Sequence, residues 1–138
     1  MKILFVCRGN VGRSQIAKAI YDSIFQGDAD SAGTKASRSG TKLKDFDGAK
    51  NIITVGKEIG FDLSNESPKQ LTEGMIDNFD RVVVMAEPET IPDYLRNSSK
   101  FIYWQIEDPK GKDLEFARST RDKIKQRIIQ AIDNNFQV

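Results

Sequence analysis

The sequence predicts an α/β domain, a small four-stranded parallel sheet with helices on both faces. Three observations lead there. Ile3–Val6 and the β-branched run within Arg81–Met85 are short and continuously apolar, the pattern of strands buried on both sides. Between and after them, apolar residues recur every three or four positions, as on the buried face of a helix. Strand and helix signals alternate along the chain without repeat, low-complexity tract or linker, so residues 1–138 are read as one domain.

In order, Ile3-Leu4-Phe5-Val6 forms the first strand. Ile16, Ala17, Ile20, Tyr21 and Ile24 fall at helical spacing and predict a helix from about Arg13 to Phe25. Asp28–Gly33 is a second, weaker strand, and Lys35–Lys50, with Ser37, Ser39, Gly40 and Gly48, reads mainly as loop. Ile52, Ile53, Val55, Ile59 and Phe61 predict another helix, stopped by Gly60 as a C-terminal cap. Arg81–Met85 is the third strand, and a short helix separates it from the fourth, Phe101–Ile106, which ends in Glu107-Asp108-Pro109. Phe116, Ile124, Ile128, Ile129, Ile132 and Phe136 mark a long amphipathic helix from Leu114 onward.

Composition excludes several chemistries. The single cysteine forbids an internal disulfide and a Cys-rich zinc site, and the absence of histidine removes every Ser-His-Asp and Cys-His arrangement. A formal net charge of +1 gives no general reason to expect a nucleic-acid or membrane partner. The apolar run before Cys7 is far short of the roughly 7–15 residues of a secretory core or the about 20 of a membrane span. With a lone thiol, the expected location is the cytoplasm. No metal or cofactor is implied.

The informative segment is Cys7-Arg8-Gly9-Asn10-Val11-Gly12-Arg13-Ser14, where the first strand hands over to the first helix. In a parallel sheet this carboxyl edge is where ligands meet helix N-termini. Two glycines and an asparagine permit the backbone conformations that turn successive N–H groups inward as an anion nest. Those donors, the helix dipole and the Arg13 fork suit a tetrahedral oxyanion, and the same field favours the thiolate of Cys7 without a histidine. The Ser14 hydroxyl is placed to donate to that sulfur. One loop thus holds an attacking sulfur and clamps the oxygens that carry transition-state charge, making it a phosphate-binding loop. A Walker-type cradle is the rival reading, but no Gly-Lys-Ser/Thr is present. Read alone, Cys7 is also compatible with a small buried hydrophobe, and Asp108-Pro109 with a plain turn before the last helix.

The whole chain resembles a low-molecular-weight protein tyrosine phosphatase. The resemblance rests on Val6-Cys7-x-Gly9-Asn10-x-x-Arg13-Ser14, Ser31-Ala32-Gly33-Thr34, Gln70-Leu71-Thr72, Phe79-Asp80 before the strand ending at Met85, and Asp108-Pro109, in the family's order. It implies catalysis by Cys7, Arg13 and Asp108: in-line attack by Cys7, a cysteinyl-phosphate intermediate, and Asp108 as general acid and then base. Phosphate is expected on Arg8, Gly9, Asn10, Val11, Gly12, Arg13 and Ser14, with Ser14, Asn10 and Ser31 in support. Asn10 is expected in a left-handed conformation, tied to Ser31. The implied partners are a phosphorylated protein or small phosphomonoester, with inorganic phosphate as product. Lys35, Arg38, Lys42 and Lys44 border the mouth by family analogy, where they steer acidic phosphopeptides or are simply solvated.

Three positions depart from the family pattern. Gly12 stands where many members carry a second cysteine, Lys110-Gly111 where aromatic residues often follow Asp-Pro, and Glu66 near a common second-shell histidine. A carboxylate at Glu66 is expected to alter the network around Ser14 and Asn10. Two further readings follow: an arsenate reductase served by an external thiol, and a non-catalytic phosphoanion sensor. A phosphocysteine carrier of the sugar phosphotransferase type is disfavoured by Arg13-Ser14.

Overall fold

The computed structural model describes residues 1–137. Four strands, β1 (Ile3–Cys7), β2 (Ala29–Gly33), β3 (Arg81–Val84) and β4 (Phe101–Tyr103), alternate with four helices, α1 (Arg13–Ile24), α2 (Lys50–Glu58), α3 (Asp93–Arg96) and α4 (Leu114–Asp133). The sheet is wholly parallel in the order β2-β1-β3-β4. All five residues of the inner strand β1 are buried, which explains its unbroken apolar sequence. Its side chains alternate between two cores. Ile3, Phe5 and Cys7 face the layer of α1, α2 and α4, with Ile16, Ile52, Ile124 and Ile128; Leu4 and Val6 face Leu71, Ile76, Ile91 and Leu95 on the other side.

The elements follow the sequence pattern with two differences of substance. β4 ends at Tyr103 rather than Ile106, because its partner β3 stops at Val84 and offers one last acceptor, to Trp104 N–H at 2.9 Å. Beyond it the chain stays buried at Trp104 and Ile106 but leaves the ladder, carrying Asp108 toward the end of β1. The stretch expected as loop contains two 3-10 turns, Leu43–Asp45 and Asp47–Ala49, pinned by fully buried Leu43 and Ala49. α2 ends as expected, with Gly60 at φ +93° just beyond it. No helix among the described residues is long and apolar enough to cross a membrane.

The end of β1 is braced from β2. Cys7 and Arg8 carbonyls accept from Thr34 and Lys35 N–H at 2.9 and 2.8 Å, so the loop lies against Gly33. A Cβ at Gly33 would lie 2.7 Å from the Arg8 carbonyl oxygen and 3.0 Å from Asn10 N, both backbone atoms. Gly33→Ala is therefore expected to destabilise the fold by about 1–3 kcal/mol, the usual cost of overpacking, and to weaken phosphate binding. Urea unfolding and phosphate titration of the variant check this.

Candidate active site

The loop after β1 forms the floor of a cavity of about 640 Å³, lined there by Cys7, Arg8, Gly9, Val11, Gly12 and Arg13. Asn10 takes φ +56°, the left-handed region, and reverses the chain so that the loop curls over the N-terminus of α1. Among the described residues, the N–H groups from Arg8 to Ser14 have no protein acceptor. They and the positive end of the α1 dipole leave the bowl suited to an anion.

A chain of hydrogen bonds runs to the sulfur, and the direction of its first two links follows from one end. Lys69 N–H, which can only donate, gives its proton to Asn10 Oδ1 at 2.9 Å. That sets the amide orientation, so Asn10 Nδ2 donates to Ser14 Oγ at 2.7 Å. Ser14 Oγ lies 3.0 Å from Cys7 Sγ, and toward a thiolate its hydroxyl is the donor. Asn10 and Ser14 are fully buried, and Cys7 is 2% exposed, its surface opening on the cavity. Gln15 Nε2 adds a brace to the Asn10 carbonyl at 3.1 Å.

Arg13, 2% exposed, is the largest side chain in the molecule to be so fully buried. Its Nη1 donates to the carbonyls of Met85 at 2.5 Å and Ile106 at 2.9 Å, the segments where β3 and β4 leave the sheet. Glu87 takes the terminal edge in a two-point contact, Nη1 to Oε2 and Nη2 to Oε1, both 3.1 Å. The Nε–H edge takes no part in these bonds. Burial disfavours the charged Arg13, but the Glu87 hydrogen bond and the nearby Cys7, Asp108 and Glu87 charges outweigh it and push its pKa up. Burial likewise opposes ionised Glu87, and the Arg13 hydrogen bonds and charge overcome it, holding its carboxyl below the usual range.

The Asp108 carboxyl makes two contacts. Oδ1 accepts from Lys110 N–H at 3.0 Å, closing a turn, while Oδ2 lies 3.5 Å from Arg13 Nη2 at the edge of the bowl. Above the bowl the lining continues with Phe46, Gly48, Asn51 and Ile52 and with Pro109–Lys112, and Asn51 Nδ2 donates to the Lys112 carbonyl at 3.3 Å.

Not every expected residue joins this arrangement. Ser31 is buried, but Asn10 is tied to Ser14 and Lys69 rather than to it. Glu66 is exposed and its side chain stands outside the Asn10–Ser14 network, while its backbone pairs with Leu43 and Leu63. Lys35 and Arg38 line the cavity; Lys42 and Lys44 do not. Sequence reasoning missed Glu87 and Phe46. The signal for Glu87 was weak but present, a carboxylate two residues past Met85, at the same sheet edge as Cys7. Phe46 lies in a stretch with no periodicity to single it out.

This geometry agrees with comparison to known proteins. A model of the family described as low molecular weight phosphotyrosine protein phosphatase matches residues 2–136. The chain belongs to that family. Among solved structures, the low molecular weight protein tyrosine phosphatase of T. tengcongensis is 27% identical, with a TM-score of 0.79 over 97% of this chain and 99% of that one. The Vibrio vulnificus protein Wzb, bound to benzylphosphonate, shares the fold at a TM-score of 0.82 and 23% identity, covering 96% and 97% of the two chains. A curated relative from Synechocystis, named glutaredoxin arsenate reductase, is 28% identical over 92% of both chains. The family thus spans proteins named for two chemistries on one fold.

The Arg13–Glu87 pair makes a pH-dependent contribution whose sign follows from the lowered Glu87 pKa. Its stabilisation is complete above the ordinary carboxyl value of 4.5 and is lost as pH falls through the lower folded-state value. The difference in urea midpoint between wild type and Glu87→Gln is expected to be constant near neutrality and to shrink only below about pH 4.5. Paired denaturation series across pH measure it.

Proposed function

We propose that this chain is a metal-independent phosphomonoester hydrolase, acting on phosphotyrosine in proteins through a cysteinyl-phosphate intermediate. The observation that carries the reading is the convergence on one cavity of a hydroxyl-directed sulfur, a locked guanidinium and the Asp108 carboxyl. In the first step the Cys7 thiolate attacks phosphorus; the S–P bond forms, the P–O bond breaks, and the leaving oxygen takes the proton of Asp108. In the second, the Asp108 carboxylate takes a proton from water, whose oxygen attacks phosphorus. The S–P bond then breaks, releasing inorganic phosphate and the Cys7 thiolate. The loop N–H groups and the Nε–H edge of Arg13 hold the phosphoryl oxygens throughout.

The leaving group is read from the walls. Lys110 stands where family members often present an aromatic ring, but Phe46 supplies one to the same cavity. A phenyl leaving group packed there gains about 0.5–1.5 kcal/mol beyond its buried area.

A second reading has its own support in the relative named for arsenate reduction with glutaredoxin. Cys7 would attack arsenate with loss of water, giving an S–As(V) adduct. An external thiolate would then attack the Cys7 sulfur, forming a mixed disulfide while the As–S electron pair leaves with arsenite. A second external thiol would free Cys7. With one cysteine in the chain, both reducing equivalents come from outside.

Hydrolysis of para-nitrophenyl phosphate decides between the readings. Wild type is expected to turn it over, with Cys7→Ser inactive and Asp108→Asn slowed about 10²–10⁴-fold, most for poor leaving groups. Equal rates for wild type and Cys7→Ser would overturn the hydrolase. Arsenite release with added glutathione and glutaredoxin would favour the reductase, and phosphate binding without either turnover would favour a sensor.

A further inference from the structure

The cavity is larger than the phosphoryl bowl needs. At about 640 Å³ it falls within the ~300–1,000 Å³ that encloses a whole small ligand, so much of it lies beyond the phosphate. The charges around that outer part are unevenly satisfied. Three acidic residues line it, and all are engaged: Glu87 and Asp108 on Arg13, and Glu107 3.8 Å from Lys112. Arg8, Lys35, Arg38 and Lys110 line it too, all exposed, and none has a carboxylate in ion-pair range among the described residues. A chain of net charge +1 therefore gathers an unpaired positive rim at one mouth.

One of those cations is already oriented. The Arg38 guanidinium sits 5.2 Å from the centroid of the Phe46 ring, in cation–π contact with it. A guanidinium resting on an aromatic face has given up much of its rotamer freedom before a ligand arrives, so less is lost on binding. Its planar fork matches a carboxylate, and Lys110 lines the same cavity as a point charge.

We infer that the mouth is a carboxylate subsite built on Arg38, Phe46 and Lys110, which selects phosphotyrosine flanked by a glutamate or aspartate. The inference rests on the hydrolase reading for the identity of the phosphoryl group and deepens it by naming the neighbouring residue. The ring of the phosphorylated residue packs on the Phe46 side, and the flanking carboxylate lies between Arg38 and Lys110. Ser37, which lines the same cavity, offers a neutral donor.

The test is read by binding, so that it stands apart from turnover. Two peptides carry a non-hydrolysable phosphonate in place of the phosphate, one flanked by Glu and one by Gln, and calorimetry measures both. Wild type is expected to bind the Glu peptide about fivefold more tightly at low salt, the yield of partly exposed charge pairs. That ratio should fall to about one in Arg38→Gln/Lys110→Gln and in about 1 M salt, where the Debye length is ~3 Å. Arg38→Glu should invert it. Binding of inorganic phosphate by each variant establishes that the bowl is intact, and the ratio cancels any loss of packing on Phe46 common to both peptides. A ratio of one in wild type, or a ratio kept in the double variant, overturns the subsite, as does failure of wild type to bind either peptide. A kept wild-type ratio that collapses in the double variant, with no hydrolysis of para-nitrophenyl phosphate, supports the subsite and strikes the hydrolase reading instead.

Discussion

Arg13 is a full positive charge with 2% of its surface exposed. Removing such an ion from water costs several kcal/mol unless its donors are matched in the interior. Here the match is made by two carbonyls and one carboxylate drawn from Met85, Ile106 and Glu87, each on a different segment from the loop itself. The carboxyl ends of β3 and β4 are thereby drawn to the end of β1. The chain that leaves β4 toward Asp108 presents the Ile106 carbonyl to Arg13 on its way. The guanidinium is thus a structural keystone as well as the expected clamp on phosphoryl oxygens.

The same economy governs the sulfur. β1 alternates its side chains between two cores, so Cys7 falls on the α1 side with Ile3 and Phe5, directly under the helix N-terminus. The apolar neighbours on that face offer the sulfur no hydrogen bond; its partner is Ser14 Oγ, which Asn10 holds in place after being oriented by the backbone amide of Lys69. The Lys69 peptide is itself held in place, since its carbonyl accepts from Gly33 N–H at 2.9 Å and Gln70 bridges to Gly33 beside β2. Sheet extension and orientation of the nucleophile therefore meet at one residue, through the two peptide groups that flank the Lys69 Cα.

The inner strands and the long helices were legible because burial writes itself into sequence. β1 and the Val82–Val84 run of β3 are continuously apolar, and α1 and α4 show their apolar stripe. The Cys7–Ser14 loop was legible because local geometry demands particular residue types at close spacing. What escaped was decided by tertiary contact. Glu87 looks like any surface acid until Arg13 is known to need a partner, and Phe46 looks like a stray aromatic in a polar stretch until the two 3-10 turns bring it to the cavity. Glu66 was overvalued for the opposite reason. Its position in the chain suggested the Asn10 network, but the Lys69 amide already fills the place a side chain was expected to take. The short β4 was hidden because Trp104 and Ile106 remain buried after leaving the ladder, and an apolar pattern records burial rather than pairing.

Because both the anchors of Arg13 and the donor that begins the relay lie far along the chain, the eight-residue loop is not a portable module. Lifted onto another strand–helix junction, it would keep its glycines and its cluster of amides and still collect stray anions weakly. It would lack the carbonyls that seat the guanidinium and the amide that gives the relay its direction. A grafted copy would be a sticky notch without chemistry, whereas the native one draws its competence from residues up to 93 positions distant.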